Sequence, residues 1–176
     1  LTTFEFGSTG NLFGQAFPFV WTNGSNSVEF RIAGGGASPP NYQLFDNTDL
    51  PADAGDRELQ SNTRWEIRFD DDNDNTFGDA FELTQIRVDS SNLGATLEFR
   101  ANGGAVTVTK SVDTDQTTVQ TFNFSNANLQ GITSLVLTQG PPAATTDTNV
   151  LLNIDSITLN AVTGPTPPRP PALTAR

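Results

Sequence analysis

Five aspartates, two asparagines and a glutamate fall within the sixteen residues RFDDDNDNTFGDAFEL, Arg68 to Leu83. Oxygen-rich side chains at this density suit a hard cation, since Ca²⁺ takes roughly six to eight oxygen ligands from carboxylates, amides and backbone carbonyls. Asp70, Asp72 and Asp74 stand in a D-x-D-x-D register, but the sixth position is Asn75 rather than Gly and the twelfth is Phe81 rather than Glu. Counting from Asp71 brings Glu82 to the twelfth place and puts Thr76 where the glycine belongs. Neither register completes the helix–loop–helix calcium motif, and the flanking apolar patterns are those of strands. Two readings stay open. One is a looser calcium loop with Asp70, Asp72, Asp74 and Asp79 as ligands. The other is a solvated acidic hairpin turn that discourages edge pairing.

The remaining chemistry is bounded by what is missing. The chain has no His and no Cys. That excludes Ser-His-Asp and Cys-His nucleophilic mechanisms, thiolate metal sites and disulfides. Glu29, Glu66, Glu82 and Glu98 each stand at outward parity on a strand pattern. Two carboxylates across a concave sheet would suit glycoside hydrolysis, but no pair stands out by spacing, and acidic residues alternate with apolar ones on many soluble sheets. The chain is therefore expected not to be an enzyme. Trp21 and Tyr42 lie in loop-like surroundings, PFVWTNGSN and PPNYQLF, where an exposed ring would stack on a sugar. Trp65 shares parity with Ile67 and Phe69 and is expected in the core.

The elements that must position these groups are strands. Apolar residues alternate with polar ones in TTFEFG, SVEFRIA, RWEIRF, ATLEFRA, AVTVTK, TFNFS, SLVLTQ, NVLLNI and SITLNA, separated by Gly, Asn, Asp and Pro clusters. Period-two alternation over short runs marks strands buried on one face, and no helical spacing is sustained. About nine or ten strands predict an all-β, two-sheet antiparallel β-sandwich, a jelly roll. Parity shifts inside FELTQIRV, from Phe81 and Leu83 to Ile86 and Val88, which predicts a β-bulge. Ala33 to Asn41, Asp46 to Glu58 and Thr138 to Thr148 read as long loops.

One domain is expected over residues 1–162. After it, residues 163–176 carry five prolines in fourteen positions. Proline cannot donate to a sheet ladder, so this segment reads as an extended proline-rich tail or linker, with Pro167, Pro168, Pro170 and Pro171 available to lie on a neighbour. With 9 Lys and Arg against 20 Asp and Glu, the net charge is −11. Such a polyanion repels nucleic acid, and no apolar run is long enough to span a membrane. The start at Leu1 and the composition point to an exported chain, extracellular or at the cell surface, whose leader has been removed.

From FELTQIRVDSSNLGATLEFRANGGAVTVTKS through VQTFNFSNANLQGITSLVLTQ to NVLLNIDSITLNAV, the chain resembles galactose-binding-like jelly-roll modules of exported bacterial surface proteins and some carbohydrate-binding modules. The resemblance covers residues 64–162. It implies a jelly roll, and it matches Asp155 to the acidic residue of the family's last strand, structural there and sometimes near calcium. The first 60 or so residues and the tail depart from it.

Two functions are expected on these grounds. One is a non-catalytic subunit of an extracellular filament, sheath or matrix, calcium-supported, whose partners are copies of itself. In that case LTTFEFG is donated as a strand, with Phe4 and Phe6 filling a neighbour's core. The other is a calcium-dependent carbohydrate-binding module whose partner is a glycan.

Overall fold

Alternating apolar residues pair into ladders throughout the computed structural model, which describes residues 1–6, 12–13, 18–32, 42–46, 57–61, 65–89, 96–112, 119–140 and 152–162. The strands are β1 (Thr2–Glu5), β2 (Leu12–Phe13), β3 (Phe19–Asn23), β4 (Asn26–Ile32), β5 (Tyr42–Asp46), β6 (Arg57–Ser61) and β7 (Trp65–Asp70). They continue with β8 (Phe81–Asp89), β9 (Thr96–Ala101), β10 (Val108–Ser111), β11 (Gln120–Asn123), β12 (Leu135–Gly140) and β13 (Leu152–Ala161). Among the described residues the helical structure is one short 3₁₀ turn, Ala127–Leu129, capped by Asn126. None is long and apolar enough to cross a membrane.

Two antiparallel sheets result. The seven-stranded sheet runs β11-β8-β13-β6-β5-β2, with β1 also on β13, and the six-stranded sheet runs β10-β9-β12-β7-β4-β3. Within them, β6-β13-β8-β11 faces β7-β12-β9-β10, which is the strand order of a jelly roll, the fold expected from the number of strands. The earlier strands widen each sheet on one side.

The parity shift in β8 is a bulge. Thr158 pairs Gln85 while the next residue, Leu159, pairs Leu83, so Thr84 is left over. Its hydroxyl donates to the Thr158 carbonyl at 3.0 Å. A second irregularity leaves Asp155 over between Ile154, opposite Val88, and Ser156, opposite Arg87. The described part of NVLLNI, from Leu152, and SITLNA, read as two strands, are therefore one bulged strand, β13.

Both sheets turn their apolar faces inward. Phe4, Phe6, Phe30, Trp65, Phe69, Phe81 and Phe99 are each at most 1% exposed. Their rings meet edge-on, Phe30 on Trp65 at 5.5 Å between centroids and Phe69 on Phe81 at 6.0 Å. Each phenylalanine so buried contributes about 1.5–3 kcal/mol. In a chain of modest apolar content, the aromatics supply much of the core.

Several expectations are corrected. Phe4 and Phe6 fill the chain's own core rather than a neighbour's: Phe4 stands opposite Ile157 on β13 and packs on Phe69. Trp21 and Tyr42 lie on strands β3 and β5, not in loops. Trp21 packs against Phe19 and Phe6, with centroids at 5.9 and 6.0 Å, because β3 continues the sheet past β4 and turns this ring inward. The residues around 46–58 include the end of β5 and the start of β6. Of the loop expected at 138–148, the first three residues are instead the end of β12; the rest of it, the loop at 33–41 and the tail with Pro167, Pro168, Pro170 and Pro171 lie outside the described residues.

Candidate metal centre and charged sheet face

The acidic stretch is no hairpin. It joins β7 of one sheet to β8 of the other, so it arches across the end of the sandwich. Asp70 closes β7 fully buried, and its carboxylate organises the loop beyond it. Oδ1 accepts the N–H groups of Asn73 at 2.7 Å and Asp72 at 3.3 Å, and Oδ2 accepts that of Asn75 at 2.9 Å. Asp72 in turn accepts from the Asp74 N–H, and Asp74 from the Thr76 N–H. The loop folds by side chains taking the place of missing ladder partners.

Asn75 has φ 67° and Asn73 φ 61°, the left-handed region. The sixth residue from Asp70 thus adopts a conformation glycine would take most cheaply, and asparagine is among the few other residues that tolerate it. Chain return is set by the Gly78 and Asp79 N–H groups, which both donate to the Phe69 carbonyl, at 2.9 and 3.0 Å. Gly78 sits at φ 127°, outside what a side chain readily permits. Asp79 Oδ2 then accepts the Asp71 N–H at 2.9 Å. Buried Ser27 on β4 ties the arch down by donating to Asn73 Oδ1 at 2.8 Å.

This folding brings carboxylate oxygens of buried Asp70, exposed Asp72 and half-buried Asp79 within 4.8 Å of one another, a group able to hold a metal ion. Its donors are all oxygen, which suits a hard cation better than zinc or copper. The same acids also act on Asp71, which lies among them in the arch. Partial burial raises the Asp71 pKa above its ordinary value, and the charges of Asp79, Asp72 and Asp70 and a hydrogen bond to Asp79 push it further the same way. A bound cation would relieve that repulsion.

The other expected ligands stand apart from this group. Asp74 is exposed and serves Thr76. Asp155 lies on β13 in the seven-stranded sheet, 2% exposed, with Oδ2 at 2.9 Å from Arg87 Nη1 and accepting from Ser156 Oγ at 3.0 Å. The bulge puts this carboxylate beside a guanidinium, so its role visible here is an ion pair within the sheet. Trp21 is half-buried against the core, and the side chain of Tyr42 lies outside what the structure describes.

Sequence reading missed one feature. The triplets Glu29-Phe30-Arg31, Glu66-Ile67-Arg68 and Glu98-Phe99-Arg100 lie on β4, β7 and β9 of the same sheet. Their middle residues are in the core, so each Glu and Arg lies on the outer face. Every Glu is ion-paired with its own Arg, at 3.5, 2.8 and 2.6 Å in chain order. Register sets Glu29 opposite Arg68 and Arg31 opposite Glu66. Val136 and Thr138 of β12 lie between β7 and β9 on this face, 7% and 5% exposed. The repeated E-x-R was the available signal, but its meaning depends on which strands are neighbours. Glu82 is on the other sheet, bonded by Gln130 and Asn160. No family model and no curated protein matches this chain.

Proposed function

We propose that this chain is a non-catalytic structural subunit of an extracellular or cell-surface filament, sheath or matrix, supported by Ca²⁺ at the arch between β7 and β8. The observation that carries the reading is the group formed by Asp70, Asp72 and Asp79. It lies where the chain passes from one sheet to the other, so an ion bound there fastens the two layers together. Ca²⁺ is the favoured ion because the oxygens come from a flexible loop, which tolerates its high and irregular coordination better than the strict octahedron of Mg²⁺. A jelly roll without Cys and Met, and so without oxidisable sulfur, also suits a durable exposed material. The likeness to galactose-binding-like modules supports the same compartment.

The test is particle size by light scattering and negative-stain microscopy, with calcium and then with EGTA, alongside melting curves. Ca²⁺ at about a hundred times its Kd stabilises a folded state by about 2.7 kcal/mol. For a chain of this length that is a rise in Tm of roughly 5–11 °C. Extended assemblies, and a Tm that rises with calcium, are expected. A monodisperse monomer in both conditions refutes the assembly reading and turns attention to glycan binding. An unchanged Tm refutes the calcium.

A further inference from the structure

On the outer face of the six-stranded sheet the solvent-reaching charges are balanced: three Glu stand with three Arg, in a chain whose net charge is −11, and the further acid at this parity, Asp70, is fully buried at the end of β7. They are also ordered. Glu66 and Arg68 on β7 stand opposite Arg31 and Glu29 on β4, so the sign alternates both along and across the strands. The four positions form a rectangle about 4.8 Å across the strands and about 6.8 Å along them.

An alternating rectangle of this kind is self-complementary. Turn a second copy over about a two-fold axis in the plane of the face and parallel to the strands, and Glu66 meets Arg31 while Arg68 meets Glu29. Turn it about the in-plane axis across the strands, and Glu66 meets Arg68 while Arg31 meets Glu29. Either operation makes an isologous contact in which each acid finds a base. We propose that this face is where two copies of the chain meet.

The proposal rests on the reading of the chain as an assembling subunit, and it names the surface. Two chains of net charge −11 repel one another over most approaches. The alternating rectangle lets them meet there with each acid against a base, and complementarity of this kind sets register and suppresses other contacts. The guanidinium groups reach solvent, since the side chains of Arg31 and Arg68 are 41% and 34% exposed. The carboxylates beneath them are more covered, at 10% for Glu29 and 20% for Glu66, and so are held in place. Val136 and Thr138 make a close-packed floor beside the rectangle.

Two double variants test this. R31E/R68E makes the rectangle wholly acidic, and E29R/E66R makes it wholly basic. Sedimentation velocity at low salt reads association, and circular dichroism with melting curves reports whether each variant is folded. The wild type is expected to self-associate, less so as salt rises. Each variant alone loses self-association at least tenfold, and an equimolar mixture of the two recovers it as mixed pairs.

Folded variants that associate as the wild type does overturn the proposal while leaving the assembly reading intact, because copies then meet elsewhere. Folded variants that lose association but fail to recover it on mixing overturn it too. A wild type that stays monomeric under every condition overturns both.

Discussion

Replacing Asp70 by alanine removes the group on which the arch between the sheets is built. Its buried carboxylate accepts three backbone N–H groups, from Asp72, Asn73 and Asn75. Hydrogen bonds to a charged acceptor contribute about 1.5–3 kcal/mol each, so an upper bound near 9 kcal/mol results. Two effects reduce it. The three donors belong to exposed residues, so water takes up part of the lost bonding. The variant also relieves the repulsion of Asp70 toward Asp71. The expected loss is then about 3–4 kcal/mol. In a chain of this length it lowers Tm by roughly 6–16 °C.

The measurement is thermal unfolding in EGTA, so that loss of a metal does not enter. Asp74→Ala is the comparison, because Asp74 also accepts a backbone N–H, that of Thr76 at 2.7 Å, but both residues are exposed. Its cost is about 1 kcal/mol or less. If Asp70→Ala and Asp74→Ala melt together, the arch is not organised by Asp70 and the reasoning fails. With calcium added, Asp70→Ala is also expected to lose the rise in Tm.

The remaining predictions concern Asp71 and Lys110. The folded-state pKa of Asp71 is raised from 3.8, so the folded chain holds its proton more tightly than the unfolded chain does. Its contribution to stability is therefore present at low pH and is lost as pH rises through the raised value. In EGTA, Asp71→Asn is expected to gain stability over the wild type as pH rises from about 4 toward neutrality. A difference independent of pH would refute this. Lys110, the chain's only lysine, lies on edge strand β10 opposite core residue Leu97, with Nζ 5.2 Å from the Phe124 ring centroid and 5.9 Å from that of Phe122. An inward charge at a sheet edge discourages pairing with other chains at that edge. Lys110→Met is expected to change stability by about 1 kcal/mol at most, yet to aggregate faster on concentration, followed by light scattering.

Much of the architecture was legible because alternation is a local property. Where Val28 and Phe30, or Trp65, Ile67 and Phe69, fall every second residue, the backbone must be extended with one face buried, and this holds whatever the neighbours are. The shift of parity between Leu83 and Ile86 exposed the bulge at Thr84 for the same reason. Strands β2, β3, β5 and β6 were missed because their short runs carry too few alternating apolar residues to show a period. The density of oxygen side chains between Arg68 and Leu83 was likewise plain in the order of residues.

What alternation encodes is the face a side chain occupies, and it says nothing of the strand beside it. That β7 and β8 belong to different sheets, so that the acidic stretch arches instead of turning back, depends on pairings with β4, β12 and β13 that are distant in the chain. The left-handed Asn75, which stands where a glycine was sought, is held there by the Asp70 carboxylate. The bulge that seats Asp155 beside Arg87 comes from register, as does the apposition of Glu29 with Arg68 and Arg31 with Glu66. Residue types and their spacing determined the strands and the store of charge; only the assembled sheets decided which charges meet, because register is set by contacts between segments far apart in the chain.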